Sequence, residues 1–292
     1  DRGIPVVVVN GRLSSGSFAG YRRIRGLVAP SFGRLAGVAA QTDAYAERFR
    51  ALGVSEDRVS VADSMKWDLG LSHTLSEHAR RLGREMGVDP DRPLVVAVST
   101  GPGEERLLVE GRPDGVQLMV VPRKPERFEE VAALAPWVRR SAGVGASATE
   151  AVAAADTDNA ADSDGAADLF LVDTMGEAEA ATALADVVVV GRSWNGLGAS
   201  NPVPAAALGK PAVVGPDHQN FDEMVQALVE AGALIVSEAP WAGISNLLGD
   251  PERRAQMAAA GPEAVSRHRG ATERNVTLIR DVLRGTASSG LV

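Results

Sequence analysis

The stretch DVVVVGRSWNGLGASNPVPAAALGKPAVVGPD, Asp186 to Asp217, decides the fold. Its valine run, Asp186–Val190, is strand-sized and reads as a buried strand. A loop with Gly191, Gly196 and Gly198 and the polar residues Ser193, Asn195, Ser200 and Asn201 follows, then a short alanine-rich helix and a second buried strand, Ala212–Val214. Strand, loop, helix and strand in that order build a parallel sheet covered on both faces. The loop has two readings at this point. It is a plain connection, or it seats an anion on the free N–H groups that open a helix.

The same alternation extends outward. Leu94–Val98, Val116–Val121, Asp168–Val172 and Ala233–Val236 are further expected strands, and Pro125–Leu134, Glu177–Leu184 and Phe221–Glu230 are helices between them. The class is α/β, with a doubly wound domain whose ligands belong at the carboxyl ends of its strands. Upstream, Ile4–Val9, Gly37–Ala40 and Arg58–Val61 alternate with helices Phe18–Val28 and Asp43–Leu52. Three strands are few for an independent open sheet, so residues 1–68 read as the C-terminal part of a first α/β domain, with an upstream part missing. Residues 69–292 read as the second domain, opening with helix Leu75–Met86. Ser141–Ala167 lacks an apolar period and is expected to be a flexible insertion. The last helix, Gln256–Leu283, is expected to break at Gly261-Pro262.

Composition excludes several classes. The 292 residues carry a net charge of −8, which argues against a nucleic-acid partner. Without cysteine there is no disulfide or thiolate metal site, and His73, His78, His218 and His268 lack ligand spacing, so no metal or cofactor is expected. No apolar run approaches the roughly 20 residues that span a bilayer.

Four loops carry candidate chemistry. In VSTGPGEE, Val98–Glu105, a strand hands over to a helix whose dipole favours Glu104 and Glu105 at its start, and the glycines also permit close approach of a ligand. In VVPRKPERFEE, Val120–Glu130, Arg123 stands at a strand end, either as a solvated charge or as a clamp for phosphate or carboxylate. LVDTMGEAEAA, Leu171–Ala181, contains the capping box Thr174…Glu177, and its Met175-Gly176 turn also suits a nucleotide. The fourth is the loop after Val190. Further upstream, SGSFAGYRRIRGLVAP aligns Phe18, Tyr21, Ile24 and Val28 against Arg22, Arg23 and Arg25, which is either a solvated helix face or one that rests on an anionic membrane surface.

Taken in order, VNGRLSSGSFAGYRRIR, QTDAYAERFRALGV, DSMKWD, STGPGEE, VPRKPERFEEV, LVDTMGE, DVVVVGRS and GASNPVPAAALGKPAVVGPDHQNFDEM resemble the 3-deoxy-D-manno-octulosonic acid (Kdo) transferases of lipopolysaccharide synthesis, from the first residues to about Leu283. The resemblance implies two Rossmann-like domains in the B-type glycosyltransferase architecture, the first incomplete here. It implies metal-independent transfer of Kdo from CMP-Kdo to a lipid A precursor at the cytoplasmic face of the bacterial inner membrane. It carries CMP contacts onto Pro122, Arg123, Met175, Gly176, Glu177, Ser193 and Asn201, and an acceptor side onto Arg12, Ser14 and Lys66. The catalytic carboxylate is expected upstream of this sequence. Departures from the family pattern fall at Gly101, Lys124 and Ser200, each in place of His, and at Pro204 in place of a ribose-binding Glu. The alternatives are a nucleotide-binding module without turnover and a divergent transferase using another activated sugar.

Overall fold

The computed structural model describes residues 4–68, 75–143 and 167–289. Residues 144–166, nearly all of the expected flexible insertion, lie outside the described residues. The chain divides into two units, Asp1–Leu69 with Ser266–Val292, and Gly70–Val265.

The first unit has a parallel sheet of β1 (Val7–Gly11), β2 (Gly37–Ala40) and β3 (Val59–Val61), in that order. All four residues of β2 are buried. Helix Asp43–Ala51, capped by the Thr42 hydroxyl, packs Tyr45, Ala46 and Phe49 inward. The expected helix over Phe18–Val28 is instead two, Ser15–Arg23 and Arg25–Phe32, because Ile24 leaves the helical region at φ −112°, ψ 29°.

From sequence, residues 69–292 form one domain and the terminal helix breaks at Gly261-Pro262. In the structure, helix Pro251–Arg267 passes through Pro262, and a separate helix, Ala271–Ser289, belongs to the first unit. Pro262 removes one helical hydrogen bond, but Met257, Gly261, Ala264 and Val265 bury one continuous face that holds the helix together. The later helix is tied to the first unit by specific bonds. The Asn10 N–H donates to Asn275 Oδ1 at 2.8 Å, Arg274 Nη2 lies 2.8 Å from Asp63 Oδ2, and Asp68 accepts from the Gly270 and Thr272 N–H groups at 2.7 and 2.5 Å.

The second unit has seven parallel strands: β4 (Leu94–Thr100), β5 (Gln117–Pro122), β6 (Val138–Arg139), β7 (Leu169–Leu171), β8 (Val187–Val190), β9 (Ala212–Val214) and β10 (Leu234–Val236). Their order is β10-β9-β8-β4-β5-β7-β6. From β4 the chain passes to β5, goes out to the edge at β6 and returns to β7 between them, then crosses to β8 and builds the other half through β9 and β10. The winding therefore reverses across β4 and β8, and the crevice that doubly wound sheets use for ligands opens at the carboxyl ends of these two strands. Valines 95, 187, 188 and 189 are at most 1% exposed, each side chain contributing on the order of 1.5–3 kcal/mol by leaving water. At the opposite end, buried Gln117 donates to the Asp89 and Arg92 carbonyls at 2.8 and 3.1 Å and accepts from the Asp89 N–H at 2.8 Å, fixing the entry to β4.

Candidate functional site

At the carboxyl ends of β4 and β8 the organising group is Glu104. It is 2% exposed, so its carboxylate needs partners. Oε2 accepts from the Gly101 and Arg192 N–H groups at 2.8 and 2.6 Å, and Oε1 from those of Ser193 and Trp194 at 2.7 and 3.1 Å. One side chain thus fastens the loop after β4 to the loop after β8. Its expected role at the start of a helix dipole misses this: three of the four donors come from residues 88–90 positions away.

Glu105 faces another way. It is fully buried and forms a two-pronged pair with Arg127, Nη1 to Oε1 at 2.6 Å and Nη2 to Oε2 at 3.0 Å. Arg127 also binds Glu130, and its pKa is raised, chiefly by the Glu105 hydrogen bonds, against the opposing effect of burial. The pair secures the segment after β5.

In that segment Pro122 is buried, in register with Thr100 of β4, and Arg123 is exposed just past the strand end. The Arg123 N–H donates to the Thr100 carbonyl at 3.2 Å, while its guanidinium has no hydrogen-bond or ion-pair partner among the described residues. The other arginines of this corner are taken. Arg127 pairs with Glu105, Arg139 with Asp173 at 2.7 Å, and Arg140 with Glu85 at 2.9 Å and Glu177 at 3.1 Å.

The turn after β7 replaces the expected capping box. Gly176 takes φ +87°, which is not helical, so the helix begins later, at Ala178, with Glu177 as its N-cap residue and no side-chain cap bond. The Thr174 hydroxyl donates to the Glu177 carboxylate instead, which also accepts both bonds from Arg140 Nε at 3.1 Å and lies 3.4 Å from His78 Nε2. Burial raises the Glu177 pKa, but the bonds from Arg140 and Thr174 outweigh it and the net direction is down. The Glu177 side chain is therefore a staple, and the residues it leaves to solvent are Met175, 70% exposed, and Gly176, with open space where a side chain would stand. Asp173, before the turn, accepts from the Ser141 N–H and hydroxyl at 2.8 and 2.6 Å.

In the loop after β8, Ser193 is fully buried. Its hydroxyl donates to the Val190 carbonyl at 2.6 Å and accepts from the Gly215 N–H at 2.8 Å, latching the loop to the end of β9. Asn201 Oδ1 accepts from the Val203 N–H at 3.1 Å, and Pro204 lies in the short helix Val203–Ala207 that follows. At Gly101, where the family resemblance places a histidine, a Cβ would lie 2.5 Å from Asn195 Nδ2 and 3.1 Å from Leu197 Cδ1, so a side chain there requires Asn195 to shift. The hydroxyls of Thr100 and Ser200 are buried with no hydrogen-bond partner.

In the first unit, Arg12, Ser14 and Lys66 lie beyond the ends of β1 and β3. Arg12 Nε donates to the Tyr45 hydroxyl at 3.4 Å, and Ser14 caps helix Ser15–Arg23 by accepting from the Ser17 N–H at 3.2 Å. The Met65 N–H donates to Asn10 Oδ1 at 3.1 Å, drawing the Lys66 turn toward β1. Lys66 is held below the ordinary lysine range by desolvation and then by the Arg12 charge, so the two cations feel each other. Tyr21, Ile24 and Leu27 are 40%, 50% and 78% exposed, beside exposed Arg22, Arg23 and Arg25.

Among the described residues no helix is long and apolar enough to cross a membrane, and no group of three His, Asp or Glu side chains is placed to hold a metal ion.

The two α/β units with parallel sheets define a Rossmann-like fold of the B-type glycosyltransferase architecture. At TM-score 0.54 and 16% identity the chain matches Anabaena HepE in complex with UDP, over 97% of this chain and 72% of that one. At TM-score 0.53 and 24% identity it matches the C-terminal CMP-Kdo binding domain of WaaA from Acinetobacter baumannii, over 66% of this chain and 99% of that domain. Residues 1–69 match the family model described as 3-deoxy-D-manno-octulosonic-acid transferase (kdotransferase). The 3-deoxy-D-manno-octulosonic acid transferase of Bordetella pertussis is 30% identical over 97% of this chain, which spans 65% of that relative's length. Along 97% of its length the chain is similar to Kdo transferases, and it spans 65% of the length of these relatives.

Proposed function

We propose that this chain takes part in glycosyl transfer, binding CMP-Kdo at the carboxyl ends of β4, β5, β7 and β8 and serving transfer of Kdo to a lipid A precursor. The observation that carries the donor site is Arg123. It is the one arginine among Arg123, Arg127, Arg139 and Arg140 whose guanidinium is not spent on a protein carboxylate, and it stands at the strand-end edge where such sheets take ligands. Departure of cytidylate concentrates negative charge on phosphate oxygens, and a guanidinium free to pair with them stabilises that charge. Pro122 sets the position of Arg123, and the exposed Met175-Gly176 turn offers backbone to the nucleotide. Glu177, Ser193 and Asn201 contribute by holding the turns around it.

The acceptor side is the region of Arg12, Ser14 and Lys66, where paired cations suit an anionic lipid head. The acceptor hydroxyl must also give up its proton to a positioned carboxylate. Tyr21, Ile24 and Leu27 with their flanking arginines support peripheral contact with an anionic membrane, at the cytoplasmic face of the bacterial inner membrane. A second reading, nucleotide binding without turnover, is favoured by glycine in place of histidine at Gly101 and by Pro204 in place of a carboxylate.

Calorimetric titration with CMP tests the donor site. The expected result is measurable binding, weakened about tenfold to hundredfold by Arg123→Ala, the loss of one charge-assisted hydrogen bond. Absence of heat at millimolar CMP overturns the assignment. A Kdo transfer assay on a chain that binds CMP separates the two readings.

A further inference from the structure

The loops at the carboxyl ends of β4 and β8 look like an anion seat, yet four of their backbone donors already serve a protein carboxylate. The N–H groups of Gly101, Arg192, Ser193 and Trp194 all point to Glu104. An internal carboxylate takes these four donors, so an incoming oxyanion is not held by them. Two side chains at the same place are unspent. Thr100 ends β4 and is fully buried; Ser200, in the loop after β8, is 6% exposed; and neither hydroxyl has a hydrogen-bond partner. A buried hydroxyl without a partner destabilises the protein that holds it, and here there are two of them. They are connected through backbone to each other and to Arg123. The Ser200 N–H donates to the Gly191 carbonyl at 2.9 Å, the Cβ position of Gly191 lies 2.6 Å from Thr100 Cα, and the Arg123 N–H donates to the Thr100 carbonyl at 3.2 Å.

We infer that Thr100 and Ser200 form a hydroxyl pair that donates to an oxyanion of the bound ligand, next to the Arg123 guanidinium, and that they set affinity for the charged part of the donor. The inference rests on the proposed donor site. Both oxygens are covered in the described conformation, and Asn195 and Leu197 pack on Gly101, the neighbour of Thr100. Beside Gly101 the segment Asn195–Leu197 is pinned by Gly196 N–H to Asp217 at 2.6 Å and by Asn220 Nδ2 to the Leu197 carbonyl at 2.9 Å, and a ligand reaches the two buried hydroxyls only when the loops around them open.

The test combines CMP titration with thermal unfolding of the ligand-free chain, for the parent, Thr100→Val, Thr100→Ser and Ser200→Ala. Thr100→Val and Ser200→Ala should each weaken CMP binding about tenfold to hundredfold. Because each removes an unpartnered buried hydroxyl, the unfolding temperature should hold or rise. Thr100→Ser, which restores the hydroxyl, should bind as the parent does. Equal CMP affinity in the parent, Thr100→Val and Ser200→Ala overturns the inference while leaving the donor site standing. A fall in affinity that follows a fall in unfolding temperature overturns it in favour of a packing role. If the parent itself does not bind CMP, the donor site fails and the inference with it.

Discussion

Two glutamates at the same edge of the seven-stranded sheet hold their loops by opposite means. Glu104 is satisfied entirely by backbone N–H groups, whereas Glu177 is satisfied by the side chains of Arg140, Thr174 and His78. A carboxylate bound by backbone fixes the path of the chain itself, and no single partner substitution can release it. A carboxylate bound by side chains is assembled from three separate elements and loosens one partner at a time. The first arrangement suits the rigid junction of β4 and β8; the second suits a turn whose exposed residues, Met175 and Gly176, meet a ligand.

The contrast is broken most severely at Glu104. Glu104→Gln keeps the volume but leaves only one acceptor oxygen for four donors, so at least two buried N–H groups lose their partners. The expected cost is about 3–5 kcal/mol of unfolding free energy, measured in urea. Arg140→Ala removes one partner of Glu177 and leaves Thr174 and His78 in place, with an expected loss of about 1–2 kcal/mol in the same assay. Gly101→His tests the space above the junction. The side chain must displace Asn195, at an expected cost of about 1–2 kcal/mol, and unchanged stability would show that the Asn195–Leu197 segment moves aside freely. Arg123→Ala is the smallest, with less than about 0.5 kcal/mol of stability lost, because no protein group depends on it.

Acid sharpens the same comparison. The Glu177 pKa is lowered in the folded protein, so its pairings contribute stability above the ordinary glutamate range, and that contribution is lost as pH falls through it toward the depressed folded value. Asp173 is shifted in the same direction, with its burial outweighed by Ser141 and Arg139. Urea unfolding followed from neutral pH into acid should show the parent losing more stability than Glu177→Gln. Parallel curves would mean that the Glu177 cluster contributes nothing to folding.

The strands of both units were legible because their valine and alanine runs are short and end in turn residues. Gly37–Ala40, Ala212–Val214 and helix Leu75–Met86 have the boundaries expected from sequence. The strand β6, two residues long, carries no period to detect, and the placement of β7 between β5 and β6 depends on pairing that no local pattern encodes. The candidate loops were legible as loops. What their side chains do was not, since Glu104 meets donors 88–90 residues away and Glu105 meets Arg127 across 22. Locally, both look like acids at the start of a helix. Ser193 was legible as a polar residue in a glycine-rich loop, but its latch to Gly215 spans 22 residues and is visible only in the fold.

The return of helix Ala271–Ser289 to the first unit has a consequence for how the protein is made. Asn275, Arg274 and the Gly270 and Thr272 N–H groups complete a unit whose strands were synthesised far earlier, with residues Gly70–Val265 in between. At about 5–20 residues per second the ribosome needs roughly 10–40 s to cross that interval. Throughout it, β1–β3 are on hand without the helix that covers them, while the intervening unit has its whole sequence available first. Of the two units, the one whose strands are made earlier therefore receives its final helix later than the other is complete in sequence.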